Sequence, residues 1–164
     1  MKAIQLAASV FLAASALATP LNLVKRQSFP LTYEYDDADQ FITYSKGWTH
    51  LSNQGDIDRK GTESYTNDPN AYLSFPAQAG VEQYYNVTIW AGKKADRGDF
   101  KFYVDDQYVG TGHEYDAAAH DATKSGIVFK KDGIKAEADS KFVLKNGGSH
   151  YISFDYVVIE YYGP

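Results

Sequence analysis

The chain contains no cysteine. That absence excludes disulfide staples, thiol catalysis, cysteine zinc sites and haem attachment through cysteine. Basic residues are also in deficit, with 16 Lys plus Arg against 21 Asp plus Glu. Nucleic acids and anionic membranes, which require a basic surface, are therefore not expected partners. Several catalytic signatures are missing as well. There is no G-x-S-x-G nucleophile elbow and no G-x-x-x-x-G-K phosphate loop. His113-Glu114 is followed by Ala117 where a zinc protease needs its second histidine, and His120 is out of register for one helix face. A copper mono-oxygenase of the secreted type needs an N-terminal histidine, which neither Thr19 nor Gln27 supplies.

The N-terminus carries processing signals. Lys2 precedes the apolar run Ala3–Ala18, which ends in Ala16-Leu17-Ala18 and is followed by Pro20. A positive start, a short apolar stretch and small residues at its end make a secretory signal peptide, too short for a membrane anchor. Residues 1–18 are thus expected to be cleaved after Ala18. The pair Lys25-Arg26 would end a short propeptide, 19–26, and leave 27–164 as a single secreted domain. Losing Lys2, Lys25 and Arg26 moves the net charge from −5 to −8.

Tyr, Phe, Val, Ile and Thr dominate the remainder, with Gly, Asn and Asp clusters between apolar runs, a composition that predicts β-structure. The expected strands are Leu31–Tyr35, Phe41–Tyr44, Trp48–Leu51, Ala71–Phe75, Tyr84–Ala91, Phe100–Val104, Gln107–Thr111, Gly126–Phe129, Lys141–Leu144 and Tyr151–Tyr161. Only Asp116–Lys124 could form a helical turn. In Tyr85–Ala91 alternate residues place Tyr85, Val87, Ile89 and Ala91 on one face and Asn86, Thr88 and Trp90 on the other. Phe100, Phe102 and Val104 should point inward. The run Tyr151–Tyr161 is apolar on both faces and should lie centrally. Many short strands at this spacing predict an antiparallel β-sandwich or barrel.

Candidate functional residues follow. Asn86-Val87-Thr88 is an N-glycosylation sequon, and strand parity turns Asn86 outward. Trp48 fits the core better than a ligand platform, whereas Trp90 offers either a stacking surface or a cover under a loop. Tyr65, His113 and Tyr115 are expected in loops, where recognition concentrates, with Asp116 as a polar partner. Aromatic rings suit sugars because the C–H face of a pyranose covers them while its hydroxyls seek polar neighbours. A hydrolase or lyase would need two carboxylates about 5–10 Å apart across a cleft. Asp96, Asp99, Asp105, Asp106, Glu114 and Asp116 are the candidates, though acids in turns are ordinarily solvated. Asp56-Ile57-Asp58 with Gly61 lacks the third spaced acid and the closing Glu of a calcium loop.

A set of motifs in fixed order carries a family resemblance. Asp36-Asp37, Phe41, Tyr44 and Gly47-Trp48 come first, then Gly61-Thr62 with Thr66, then Tyr72-Leu73-Ser74-Phe75. Phe102-Tyr103-Val104-Asp105-Asp106 follows, and His150 precedes Phe154-Asp155-Tyr156-Val157. Over residues 33–160 the chain resembles the galactose-binding-like jelly rolls common in fungal secreted and cell-surface proteins, and more remotely carbohydrate-binding modules of families 6 and 35. It departs from them at Asp106, where glycine is usual, and in the longer segment Ile134–Ser140. The resemblance implies two antiparallel sheets and non-catalytic binding of a glycan or cell-wall polysaccharide. It also implies a structural calcium between the first and last strands at Glu34 and Asp155, no other cofactor being expected. A hydrogen bond within the fold is the competing reading for Asp155. The rival functional reading is a small secreted interaction protein that binds a protein partner and no sugar.

Overall fold

A computed structural model describes residues 31–52, 62–77, 83–118 and 124–161. The signal and propeptide signals, Asp56-Ile57-Asp58 with Gly61, and His120 lie outside these residues. Twelve strands run in chain order: β1 (Leu31–Asp36), β2 (Thr43–Tyr44), β3 (Thr49–Ser52), β4 (Thr62–Thr66), β5 (Tyr72–Pro76), β6 (Gln83–Lys93), β7 (Asp99–Val104), β8 (Gln107–His113), β9 (Lys124–Ala136), β10 (Lys141–Asn146), β11 (Ile152–Phe154) and β12 (Tyr156–Tyr161). No helix occurs among the described residues. The fold is all-β.

Every strand pairing is antiparallel, in a four-stranded sheet of order β1-β12-β6-β9, a five-stranded sheet β2-β5-β10-β7-β8 and a small sheet β11-β4-β3. The two large sheets meet through the faces that alternation assigns to the core. Tyr85, Val87, Ile89 and Ala91 of β6 are fully buried, as are Phe100 and Phe102 of β7. Tyr85 stands edge-on to Phe142 of β10 at 5.5 Å, and Phe129 of β9 packs on Phe102 at 4.8 Å. Aromatic contacts of this kind contribute about 0.5–1.5 kcal/mol each beyond area burial, so without disulfides they hold the layers together.

Two details differ from the sequence expectation. The segment Thr62–Thr66, polar but for Tyr65, forms β4 in place of a loop, because its neighbours β3 and β11 satisfy its backbone on both sides. The run Tyr151–Tyr161 does not make one strand. It breaks at Asp155, so that β11 joins the small sheet while β12 lies inside the four-stranded sheet between β1 and β6. Asp155 is the corner. Its N–H donates to the Trp90 carbonyl at 3.1 Å, its carbonyl accepts from Asp37 N–H at 2.9 Å, and its Oδ2 accepts from the Ser125 hydroxyl at 2.8 Å.

Gly47 (φ 95°) makes the turn between β2 and β3. An added Cβ there would stand 2.9 Å from Asp68 Oδ2, so glycine is required for conformation and for room. The turn lays Trp48 against the core. Its indole N–H donates to the Tyr72 carbonyl at 3.0 Å, and its ring meets Tyr44 edge-on at 5.2 Å. Trp48 is thus a packing residue.

Candidate glycan-binding site

The small sheet closes one end of the sandwich and is extended by two isolated bridges. Arg97 pairs with Tyr151, and Lys94 pairs with Tyr115. The connection between β6 and β7 (94–98) is thereby clamped between β11 on one side and the segment after β8 on the other. Gly98 N–H donates to the Tyr151 carbonyl at 2.8 Å, and Glu114 N–H donates to the Gly98 carbonyl at 3.2 Å.

On one face of this sheet, Leu51, Tyr65, Asp96, Arg97 and Tyr151 line an open cavity of about 320 Å³. The Tyr65 and Tyr151 rings lie 5.9 Å apart and are tilted by 53°, which makes a notch rather than a flat platform. Beneath them sits a buried polar floor. Arg97 Nη2 lies 3.6 Å from Glu63 Oε1, with Glu63 only 2% exposed. Glu114 is fully buried, and its Oε2 accepts from Ser153 N–H at 2.7 Å and from the Ser153 hydroxyl at 3.1 Å. Desolvation raises the Glu114 carboxyl well above the usual carboxylate range, against the opposing pull of Arg97 and the Ser153 hydrogen bonds. Glu63 Oε1, Arg97 Nε and Glu114 Oε1 have no hydrogen-bond partner within the protein. Buried polar atoms are almost always satisfied, so three in one cluster mark a place for a buried water.

The expected site residues divide. Tyr65 lines the notch, although from a strand. Tyr115 and Asp116 sit on the flank of the same end, held to Lys94 by the Tyr115 bridge and by Asp116 N–H to the Lys94 carbonyl. Asp116 Oδ1 accepts from Ala118 N–H at 2.9 Å and so shapes its own turn. The other two do not join them. His113 ends β8, and its Nδ1 lies 2.8 Å from Asp99 Oδ1 across the strand pair, an exposed contact. Trp90 stands on the outer face of the four-stranded sheet, stacked on Tyr156 at 4.5 Å with the rings 10° from parallel. Strand parity therefore removes both from the notch: neighbours in sequence project onto opposite sides of a sheet.

Tyr151, Arg97 and Glu63 were not singled out from sequence. Tyr151 reads as the first residue of an apolar strand, and Arg97 reads as part of a turn. Only the pairing of β11 with β4, and the bridge to Arg97, bring these groups to Tyr65.

Glu34 and Asp155 stand apart along the β1–β12 pair. Glu34 is exposed opposite Val158, while Asp155 is buried beyond Tyr156, about 10 Å further along by strand rise. Asp155 Oδ2 accepts from the Ser125 hydroxyl. No group of three or more His, Asp or Glu residues that could hold a metal occurs among the described residues. Glu114 and Glu63 are buried, Asp99 faces His113, and Asp96 lies 3.9 Å from the Lys94 ammonium.

A larger cavity, about 530 Å³, opens beside the β1–β2 connection and is lined by Asp37, Ala38, Asp39, Ile42, Tyr44, His50 and Leu51. Its polar groups bond to one another. Ser64, fully buried, donates to Asp37 Oδ2 at 2.8 Å, so His50 Nδ1, 2.6 Å from the same hydroxyl, must be the donor of that second bond. This His, Ser and Asp chain is not a catalytic triad, because the serine hydroxyl is buried and donates to the acid. The Tyr44 hydroxyl, pushed up chiefly by burial, donates to the Asp37 carbonyl at 2.8 Å.

Against solved structures, the arrangement of strands is similar to a family 35 carbohydrate-binding module from Clostridium thermocellum, with a TM-score of 0.58 and 14% identity over 77% of this chain and 97% of that one. The fold is an antiparallel β-sandwich of the jelly-roll kind seen in that module. The same jelly roll matches part of the GH26-CBM35 β-(1,4)-mannanase of Podospora anserina at TM-score 0.56 and 18% identity, covering 82% of this chain. It also matches part of an exo-β-1,3-galactanase from Phanerochaete chrysosporium at TM-score 0.54 and 13% identity, covering 79% of this chain. This jelly roll spans 28% and 29% of those two enzymes. No protein-family model and no curated protein matches the chain.

Proposed function

We propose that the protein is a secreted, non-catalytic glycan-binding domain that holds a cell-wall or host sugar in the notch between Tyr65 and Tyr151. One observation carries this reading: two tilted tyrosine rings line one open cavity together with Asp96 and Arg97. A sugar presents an apolar C–H face and a rim of hydroxyls, each of which donates and accepts. The rings suit the face. Arg97 and Asp96 suit the rim. Because Arg97 is charge-matched by Glu63, the notch favours a neutral sugar over an ionic one.

The likeness to carbohydrate-binding modules supports the reading. The leader sequence and dibasic site support secretion. An open cavity of this size buries little ligand surface, so affinity should be weak. A glycan array with the purified mature protein tests the proposal. Reproducible neutral-glycan binding that falls about tenfold in Tyr65→Ala and in Tyr151→Ala upholds it, a loss of about 1.4 kcal/mol each. No glycan signal, with tight capture of a protein partner, would replace it by the interaction-protein reading.

A further inference from the structure

We infer that the first N-acetylglucosamine of a glycan on Asn86 seats its apolar face on the Tyr84 ring, so that the chain's own modification covers the outer face of the four-stranded sheet. Strand β6 alternates without a break: Gln83, Tyr85, Val87, Ile89 and Ala91 are buried, while Tyr84, Asn86, Thr88 and Trp90 point outward. Tyr84 and Asn86 are therefore neighbours on one face, about 6.8 Å apart along the strand. The placement requires an occupied Asn86-Val87-Thr88 sequon, and it adds where the sugar lies and what it does there.

Tyr84 stands out on this face. It is 61% exposed, the most of any large apolar side chain among the described residues, although β6 is an interior strand between β12 and β9. A ring on an interior strand ordinarily packs on a cross-strand neighbour. Trp90 does so, stacked on Tyr156. Tyr84 stands opposite Lys135 and has no ring contact among the described residues. Asn86 is held ready beside it. Its Oδ1 accepts from Gly133 N–H at 3.1 Å, which orients the planar amide and turns Nδ2, the atom that takes the sugar, away from Gly133. No hydrogen bond among the described residues uses that nitrogen.

A pyranose has an apolar C–H face that suits an aromatic ring and a polar rim that needs donors and acceptors. Glu160 stands opposite Asn86 and Lys135 opposite Tyr84, so an acceptor and a donor flank the pair. A free sugar would gain little from one exposed ring, but a tethered sugar meets it at high effective concentration. The bulk of the glycan also keeps a second copy of the chain off this face. Tyr84 lies near the start of β6 and Arg97 beyond its other end, so the Tyr65–Tyr151 notch takes no part.

The test uses the mature protein secreted from a glycosylating host, with occupancy read by mass. Three forms are melted in parallel: intact, trimmed by an endoglycosidase to one N-acetylglucosamine, and sugar-free Thr88→Val, which breaks the sequon and keeps the Asn86–Gly133 bond. The intact and trimmed forms should melt together, and the sugar-free form about 2–4 °C lower. In a glycosylated Tyr84→Ala background the sugar-dependent shift should shrink to about 1 °C or less, and Tyr84→Phe should restore it. An unmodified Asn86, an absent shift, a trimmed form that melts with the sugar-free one, or an equal shift in Tyr84→Ala would each overturn the placement. So would a glycosylated protein that sediments as a dimer and dissociates in Tyr84→Ala, which would put a second copy on the face.

Discussion

Glu114 is bonded twice to Ser153, through the backbone N–H at 2.7 Å and the hydroxyl at 3.1 Å, and thereby ties the segment after β8 to β11. The bond crosses the floor of the notch. Ser153 Oγ in turn accepts from Gly92 N–H, and the Gly92 carbonyl at 3.3 Å competes with Glu114 for its one proton. Glu114 and Ser153 thus fix the relative position of three chain segments: the stretch after β8, β11 and the end of β6.

This gives the fold a pH dependence. The folded Glu114 carboxyl has a raised affinity for its proton because burial penalises the charge. The folded state therefore binds more protons than the unfolded chain, and stability falls as pH rises from the unfolded value, about 4.3, through the folded one. Below that window the penalty is absent. Glu114→Gln keeps an oxygen for Ser153 and cannot ionise, so its melting temperature relative to wild type should improve from pH 4 to pH 7. Glu114→Ala should instead lose about 1–3 kcal/mol at all pH values, because Ser153 N–H is left buried and unpaired. Thermal melts of the three proteins across pH decide both; a Gln variant whose difference from wild type ignores pH would contradict the argument.

Gly112 supplies a steric test of the sandwich. A Cβ built there would lie 2.0–2.6 Å from three atoms of the Phe100 ring, which is fully buried and has no room to move. Gly112→Ala should destabilise by about 3 kcal/mol, the upper end of overpacking costs. At roughly 4 °C per kcal/mol for a domain of this length, the shift is large in calorimetry. Gly148→Ala, with nothing within 4 Å of its added Cβ, is the matched control and should stay near wild type.

Sequence legibility was set by what alternation can encode. Period two in Tyr85–Ala91 and Phe100–Val104 fixes which side chains enter the core, and the structure buries those residues. The same rule kept the notch hidden, because it says nothing about which strands become neighbours. Tyr65 and Tyr151 are separated by more than eighty residues and meet through β4–β11 pairing. Asp155 shows the converse: its position in an apolar run announced a need for a partner, but only the folded chain identified Ser125.

Processing and glycosylation can be read from the secreted protein. N-terminal sequencing should find Gln27; Thr19 would remove the dibasic step, and intracellular protein with Met1 would remove secretion. Asn86 lies half-buried on the outer face, with its Oδ1 accepting from Gly133 N–H at 3.1 Å. A glycan joins the side-chain nitrogen and leaves that oxygen in place. Peptide mass mapping before and after N-glycosidase treatment should show occupancy at Asn86, and an unmodified peptide in a glycosylating host would count against it.

Tyr115 separates a flank from a notch. Its ring is 59% exposed, and its contribution to the Lys94 bridge comes from the backbone, which any residue supplies. Tyr115→Ala should therefore change stability by no more than about 0.5 kcal/mol. Tyr65→Ala removes a half-buried ring that packs on Tyr151, and so should cost more in both stability and binding. If a neutral glycan sits between Tyr65 and Tyr151, Tyr115 touches only its extension. A two- to threefold loss of affinity is then expected for a longer oligosaccharide, and none for a monosaccharide. Titrating both ligands against wild type, Tyr65→Ala and Tyr115→Ala, with parallel melts, resolves the assignment. A Tyr115→Ala protein that loses the monosaccharide while Tyr65→Ala retains it would move the site from the notch to the segment after β8. Unchanged binding with a lowered melting temperature would make Tyr115 a packing residue.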